Sequence, residues 1–182
     1  HEVYEDPDAS EEELAASYVF IRNNRIGLNT SGEIVTTTSG ERSATGISVM
    51  GGHRAFIGYE NAGNVIGGHN LGVELQSEES IVAANYIGTD PSGEEARPNA
   101  VGVFVSGSGL LGFPPEDDAE FSLAFIRTWG NVIAGNEESG VLVSPINGDD
   151  TPEAVLIGNR IGLSASGKSL PNGTSFEPIP EM

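Results

Sequence analysis

The sequence predicts an all-β fold in which about five short three-strand units stack as a parallel β-helix behind an N-terminal capping helix. Two recurring motifs carry that expectation. N-x-I-G occurs as Asn24-Arg25-Ile26-Gly27, Asn64-Val65-Ile66-Gly67, Asn85-Tyr86-Ile87-Gly88 and Asn159-Arg160-Ile161-Gly162, with Ala134 closing Asn131-Val132-Ile133-Ala134. G-[VI]-x-[VL] follows the first four copies, as Gly46-Ile47-Ser48-Val49, Gly72-Val73-Glu74-Leu75, Gly102-Val103-Phe104-Val105 and Gly140-Val141-Leu142-Val143. After the fifth copy only Gly173-Thr174-Ser175-Phe176 remains. A third apolar element precedes each Asn: Val19-Phe20-Ile21, Ala55-Phe56-Ile57, Ile81-Val82, Ala124-Phe125-Ile126 and Val155-Leu156-Ile157.

No segment of this length buries an apolar face alone, so each unit must stack on the next. The second and fourth residues of G-[VI]-x-[VL] point inward, as period-2 patterning requires. Ile26, Ile66, Ile87, Ile133 and Ile161 form an interior aliphatic stack. Asn24, Asn64, Asn85, Asn131 and Asn159 form a structural ladder at one corner, because Asn tolerates left-handed backbone and its amide bonds to a copy above and below. At ~4.8 Å per paired strand, five coils make a rod about 24 Å tall.

At 182 residues the chain is read as one domain, with an arm and capping helix over residues 1–16, the β-helix over 17–176 and a tail over 177–182. Asp8 or Ser10 caps the helix, and acidic residues occupy its first turn. No basic and apolar leader precedes it, so the chain is read as a mature or excised form. A net charge of −19, with Lys168 the single lysine, repels phosphate backbones and anionic lipid, so neither nucleic-acid binding nor membrane insertion is expected. Cysteine is absent, which excludes disulfides and zinc-thiolate sites.

The run Asn85 to Gly93 (N-Y-I-G-T-D-P-S-G), then Pro98 to Val103, Gly130 to Asn136 and Ser139 to Val141, resembles the right-handed parallel β-helix repeats of large bacterial secreted and surface proteins. Arg25 to Gly32 and Arg160 to Gly167 repeat the I-G-x-x-x-S-G part. The likeness covers about Ser17 to Gly173 and implies the right-handed coil and an extracellular or cell-surface location. It does not carry an activity, because similar coils serve lyases, adhesins and stalks.

For catalysis, Arg22, Arg25, Arg127, Arg160 and Lys168 are the candidate positive groups, too few and too scattered for a lyase groove. Arg25 and Arg160 share one repeat position, which reads as an outward salt-bridge ladder. No cofactor is expected. Calcium is possible without a motif, on Asp90, Glu94, Glu95, Asp117, Asp118, Asp149 and Asp150. His1, at the N-terminal amine, is set aside as a copper brace, and His53 and His69 follow glycine pairs and read as turn residues. Residues 107–120 read as a long surface loop.

The last coil fades without a cap, exposing strand edges that natural proteins leave open only where something pairs. The expected function is therefore a non-enzymatic structural subunit that self-associates head to tail into a filament or surface structure, since unequal ends propagate. Val3, Tyr4, Phe113, Phe176 and Ile179 are its candidate contacts. The alternative is a carbohydrate-binding or polysaccharide-cleaving module of a larger secreted protein.

Overall fold

The computed structural model describes residues 18–36, 40–51, 54–77, 80–112, 129–145 and 152–173. Three parallel sheets make the fold. The first holds β1 (Tyr18–Ile21), β4 (Arg54–Ile57), β7 (Ser80–Val82), β10 (Ser108–Leu111) and β13 (Glu153–Leu156). The second holds β2 (Arg25–Ile26), β5 (Val65–Ile66), β8 (Tyr86–Ile87), β11 (Val132–Ile133) and β14 (Arg160–Ile161). The third holds β3 (Ser43–Gly51), β6 (His69–Ser77), β9 (Val101–Val105) and β12 (Ser139–Val143). The chain visits the sheets in rotation, so each strand pairs with the one three places on, and every traverse of the three sheets makes one tier.

In-register pairing puts like residues above like. Ile57, Val82 and Leu111 form an interior column of the first sheet, Ile66, Ile87 and Ile133 of the second, and Val73 with Val103 of the third, all fully buried. Burial of such side chains is worth roughly 1.5–3 kcal/mol each, so these columns are what the short strands gain by stacking. The described residues thus form an all-β, parallel fold.

Residues 107–120 require a correction. Ser108–Leu111 is not loop but β10, pairing Gly109, Leu110 and Leu111 with Ser80, Ile81 and Val82 on one side and with Ala154, Val155 and Leu156 on the other. It fills the place expected of Ala124-Phe125-Ile126, which lies outside the described residues. Glycine disguises this strand, being a poor strand former by propensity. Here a Cβ on Gly109 would meet the Leu75 side chain, so the neighbouring leucine occupies the space a larger residue would take.

The five tiers are of two kinds. After the second-sheet strand, tiers 1, 3 and 5 carry a small hairpin, closed by the antiparallel bridges Leu28 to Ile34, Thr89 to Ala96 and Leu163 to Ser169. Tiers 2 and 4 instead turn at once, through Gly67-Gly68 and Ala134-Gly135. This explains the exceptional Ala134. In the hairpin tiers the glycine of N-x-I-G is itself left-handed, with φ of 76° at Gly27, 89° at Gly88 and 75° at Gly162. In the tight tiers the left-handed residue is one place later, Gly68 at 83° and Gly135 at 70°, so position 134 tolerates a side chain.

Candidate functional site

Two polar columns run along the corners. In the first, the backbone N–H and Nδ2 of Asn24 donate to Asn64 Oδ1, at 3.0 and 2.9 Å. Asn64 donates in the same way to Asn85, Asn85 to Asn131, and Asn131 to Asn159. Each Nδ2 from Asn64 onward also reaches back to a first-sheet carbonyl of the previous tier: Ile21, Ile57, Val82 and Leu111. Asn64, Asn85 and Asn131 are fully buried, and each makes a corner of backbone polar groups tolerable without water.

The second column was not read from the sequence. Asn99 donates through N and Nδ2 to Asn136, which donates likewise to Asn172, and the His69 N–H bonds to Asn99 Oδ1 at 3.1 Å. His69 takes the asparagine position in tier 2. The residue is 4% exposed, and among the described residues neither ring nitrogen has a hydrogen-bond partner. Burial lowers its pKa, and the nearby Ile26 carbonyl only partly opposes this.

The interior columns end differently from how they begin. Ile161, Leu156 and Val143 close the second, first and third sheets at 44%, 42% and 42% exposure. At the other end Ile21 and Ile26 are partly buried, and Ile47 and Val49 are buried. Among the described residues, no hydrogen-bond acceptor meets the backbone N–H of Asn159 or of Asn172. The tier-5 end is therefore apolar at its centre and carries unmatched donors at two corners.

The hairpins touch one another across the tight tiers. Arg97 donates through Nε to the Gly32 carbonyl at 2.7 Å and pairs with Glu33 at 3.0 Å, tying hairpin 3 to hairpin 1. Ala165 N–H donates to the Gly93 carbonyl at 2.9 Å, and Ser166 donates to Glu94 through N and Oγ, tying hairpin 5 to hairpin 3. The Ser166 hydroxyl bond leads the causes that hold the Glu94 pKa below its usual range, with Ser164 and Lys168 adding to it. Burial pushes the Asp90 carboxylate up, yet the backbone N–H groups of Glu95, Ser92 and Glu94 and the Ser92 hydroxyl outweigh it, and the net shift is down. Asp90 thus holds its own turn together.

Arg25 and Arg160 form no ladder. They stand at opposite ends of the outward column Arg25, Val65, Tyr86, Val132, Arg160, with three tiers between them, and Arg25 Nη1 donates to the Thr30 carbonyl at 2.6 Å. A further ion pair that spans tiers joins Arg42 to Glu137; their mutual hydrogen bond raises the Arg42 pKa and lowers that of Glu137. Along the same outward column lies a groove of about 350 Å³ between Asn61, Tyr86, Pro91 and Arg160. Tyr59 and Trp129 pack edge to face nearby, with centroids 4.8 Å apart.

Of the candidate contacts, Val3, Tyr4, Phe113, Phe176 and Ile179 lie outside the described residues, as do His1, His53, Asp117, Asp118, Asp149, Asp150 and Arg127. Among the described residues no three His, Asp or Glu side chains converge as a metal site, and no helix is long and apolar enough to cross a membrane. Comparison with protein-family models, with curated proteins and with solved structures returns no match.

Proposed function

We propose that each tier is one coil of a short, right-handed, single-stranded parallel β-helix, capped at its N-terminal end, and that the chain is a non-enzymatic structural module. It self-associates through the ends of the rod into an extracellular or cell-surface assembly, with no cofactor of its own. One observation carries this reading: interior columns that are fully buried in the middle coils end more than 40% exposed at Leu156, Ile161 and Val143, while Val141, closing the Val73–Val103 column, stays partly buried. Apolar residues that point into a stack gain their burial when another layer covers them. A mixed salt dependence is expected, because a net charge of −19 opposes association until salt screens it or calcium bridges carboxylates.

Light scattering and sedimentation of the full chain test this, over a range of protein and salt concentrations and with calcium or a chelator. Mass that rises with concentration, and more steeply in salt, is the expected result. A monomer at high concentration and high salt under every condition removes the assembly reading. The second reading, a carbohydrate-binding module, is favoured by the groove at Tyr86 and Arg160 beside the exposed Tyr59 ring. Titration of neutral and acidic oligosaccharides against the parent and Tyr86→Ala separates the two.

A further inference from the structure

The open face of coil 5 fits a second copy of itself. We infer that two chains meet fifth coil to fifth coil about a two-fold axis through the Asn159 corner, setting β13 of each against β14 of the other. This rests on the reading of the chain as a self-associating module and names the faces that meet.

Head-to-tail growth, expected from two unequal ends, conflicts with the hairpins. Hairpins occur on coils 1, 3 and 5, and at this two-coil spacing they are already in contact: Gly32 with Arg97, and Gly93 with Ala165. A Cβ on Gly32 would meet the Pro91 ring and one on Gly93 would meet Ala165 Cβ, so there is no slack between them. Stacking coil 1 of one copy on coil 5 of another would set two hairpin coils in succession, at half that spacing. Two hairpins cannot share that space. The coil-1 face is also the covered one, with Ile47 and Val49 buried, whereas Leu156 and Ile161 are open on coil 5.

A two-fold axis perpendicular to the rod removes the conflict. It reverses the winding sense, so the facing strands run antiparallel. It also exchanges the first and second sheets, which carries each hairpin, lying between the second and third sheets, over the partner's corner between third and first. The axis passes beside the unmatched Asn159 N–H. The facing coil adds no local repulsion to that of the whole chain: residues 152–173 contain one acid, Glu153, against Arg160 and Lys168, in a chain whose total is −19. Such isologous contacts close as dimers, the commonest symmetric assembly.

The cysteine-free chain makes the test direct. A nitroxide is attached to full-length Arg25→Cys or Arg160→Cys, and label separations are measured by pulsed electron resonance. At ~4.8 Å per coil, the proposed dimer puts the two Arg25→Cys labels about 43 Å apart along the rod and the two Arg160→Cys labels within about 20 Å, whereas head-to-tail stacking gives about 24 Å for both. Ile161→Lys should return the sedimenting mass to a monomer while the β-sheet circular dichroism is kept. If that variant unfolds, Leu156→Lys replaces it, and the distances stand in either case. Equal separations of about 24 Å, or filaments by microscopy, overturn the fifth-coil contact and leave self-association intact. A strictly monomeric parent overturns both.

Discussion

The two corner columns do the same physical work and differ in how they are spaced. In the first, each Asn is followed two residues later by the interior Ile, so column and core repeat in phase along the sequence. In the second, the partner of that Asn stands five residues on in the tight tiers, at His69 and Asn136, but 14 on at Asn99 and 13 on at Asn172, because hairpins intervene. The hydrogen bonds are of one pattern and the motif is not. Periodicity in sequence therefore marks where spacing is constant, not where a structure repeats.

The largest effect should come from breaking the core at a matched position in two tiers. Ile87→Asp buries a carboxylate in a fully closed column and should cost more than about 4 kcal/mol, abolishing cooperative thermal unfolding by circular dichroism. Ile161→Asp, 44% exposed in the same column, should cost less than about 1 kcal/mol in the monomer. Equal losses would mean that the fifth tier is closed in solution.

Next in size are the ladders themselves. Asn85→Ala removes the acceptor for two Asn64 donors and the donor to Ile57, Ala83 and Asn131, and should cost roughly 2–3 kcal/mol in urea unfolding. Asn99→Ala should cost a similar amount. A second-ladder loss below a third of the first would show that the two columns are not equivalent.

His69→Asn sharpens the comparison, since it supplies the missing member of the second ladder. Because burial holds the His69 pKa below 6.5, the unfolded chain binds the proton first as pH falls. The parent should then lose stability below about pH 6.5 and show no contribution from this group above it. The variant should lack that part of the slope and gain about 1 kcal/mol at pH 6. A variant whose acid slope matches the parent's would assign the slope to other groups.

The smallest effect is expected outside both columns. Arg42→Ala breaks a partly exposed ion pair and should cost at most about 1 kcal/mol, less in high salt, by the same unfolding assay.

What was legible in the sequence follows from these differences. The strands of the second and third sheets could be read because Ile66, Ile87, Val73 and Val103 recur with fixed neighbours. β10 could not, since Ser108 and Gly109 carry little strand signal and the space is filled from Leu75. The first ladder was readable as a motif, the second only after the hairpins were placed. The salt-bridge expectation at Arg25 and Arg160 failed because a shared repeat position does not make residues neighbours; adjacency also depends on what the tiers between them carry.

The alternation of hairpin and tight corners sets a rule for how such a chain can lengthen by tandem duplication. A copied segment of one tier would bring two hairpins, or two tight corners, into succession. A copied pair, such as residues 64–130, restores the phase and preserves every hairpin contact. Viable length variants of this chain should therefore differ by even numbers of tiers, so that the hereditary unit is twice the visible motif.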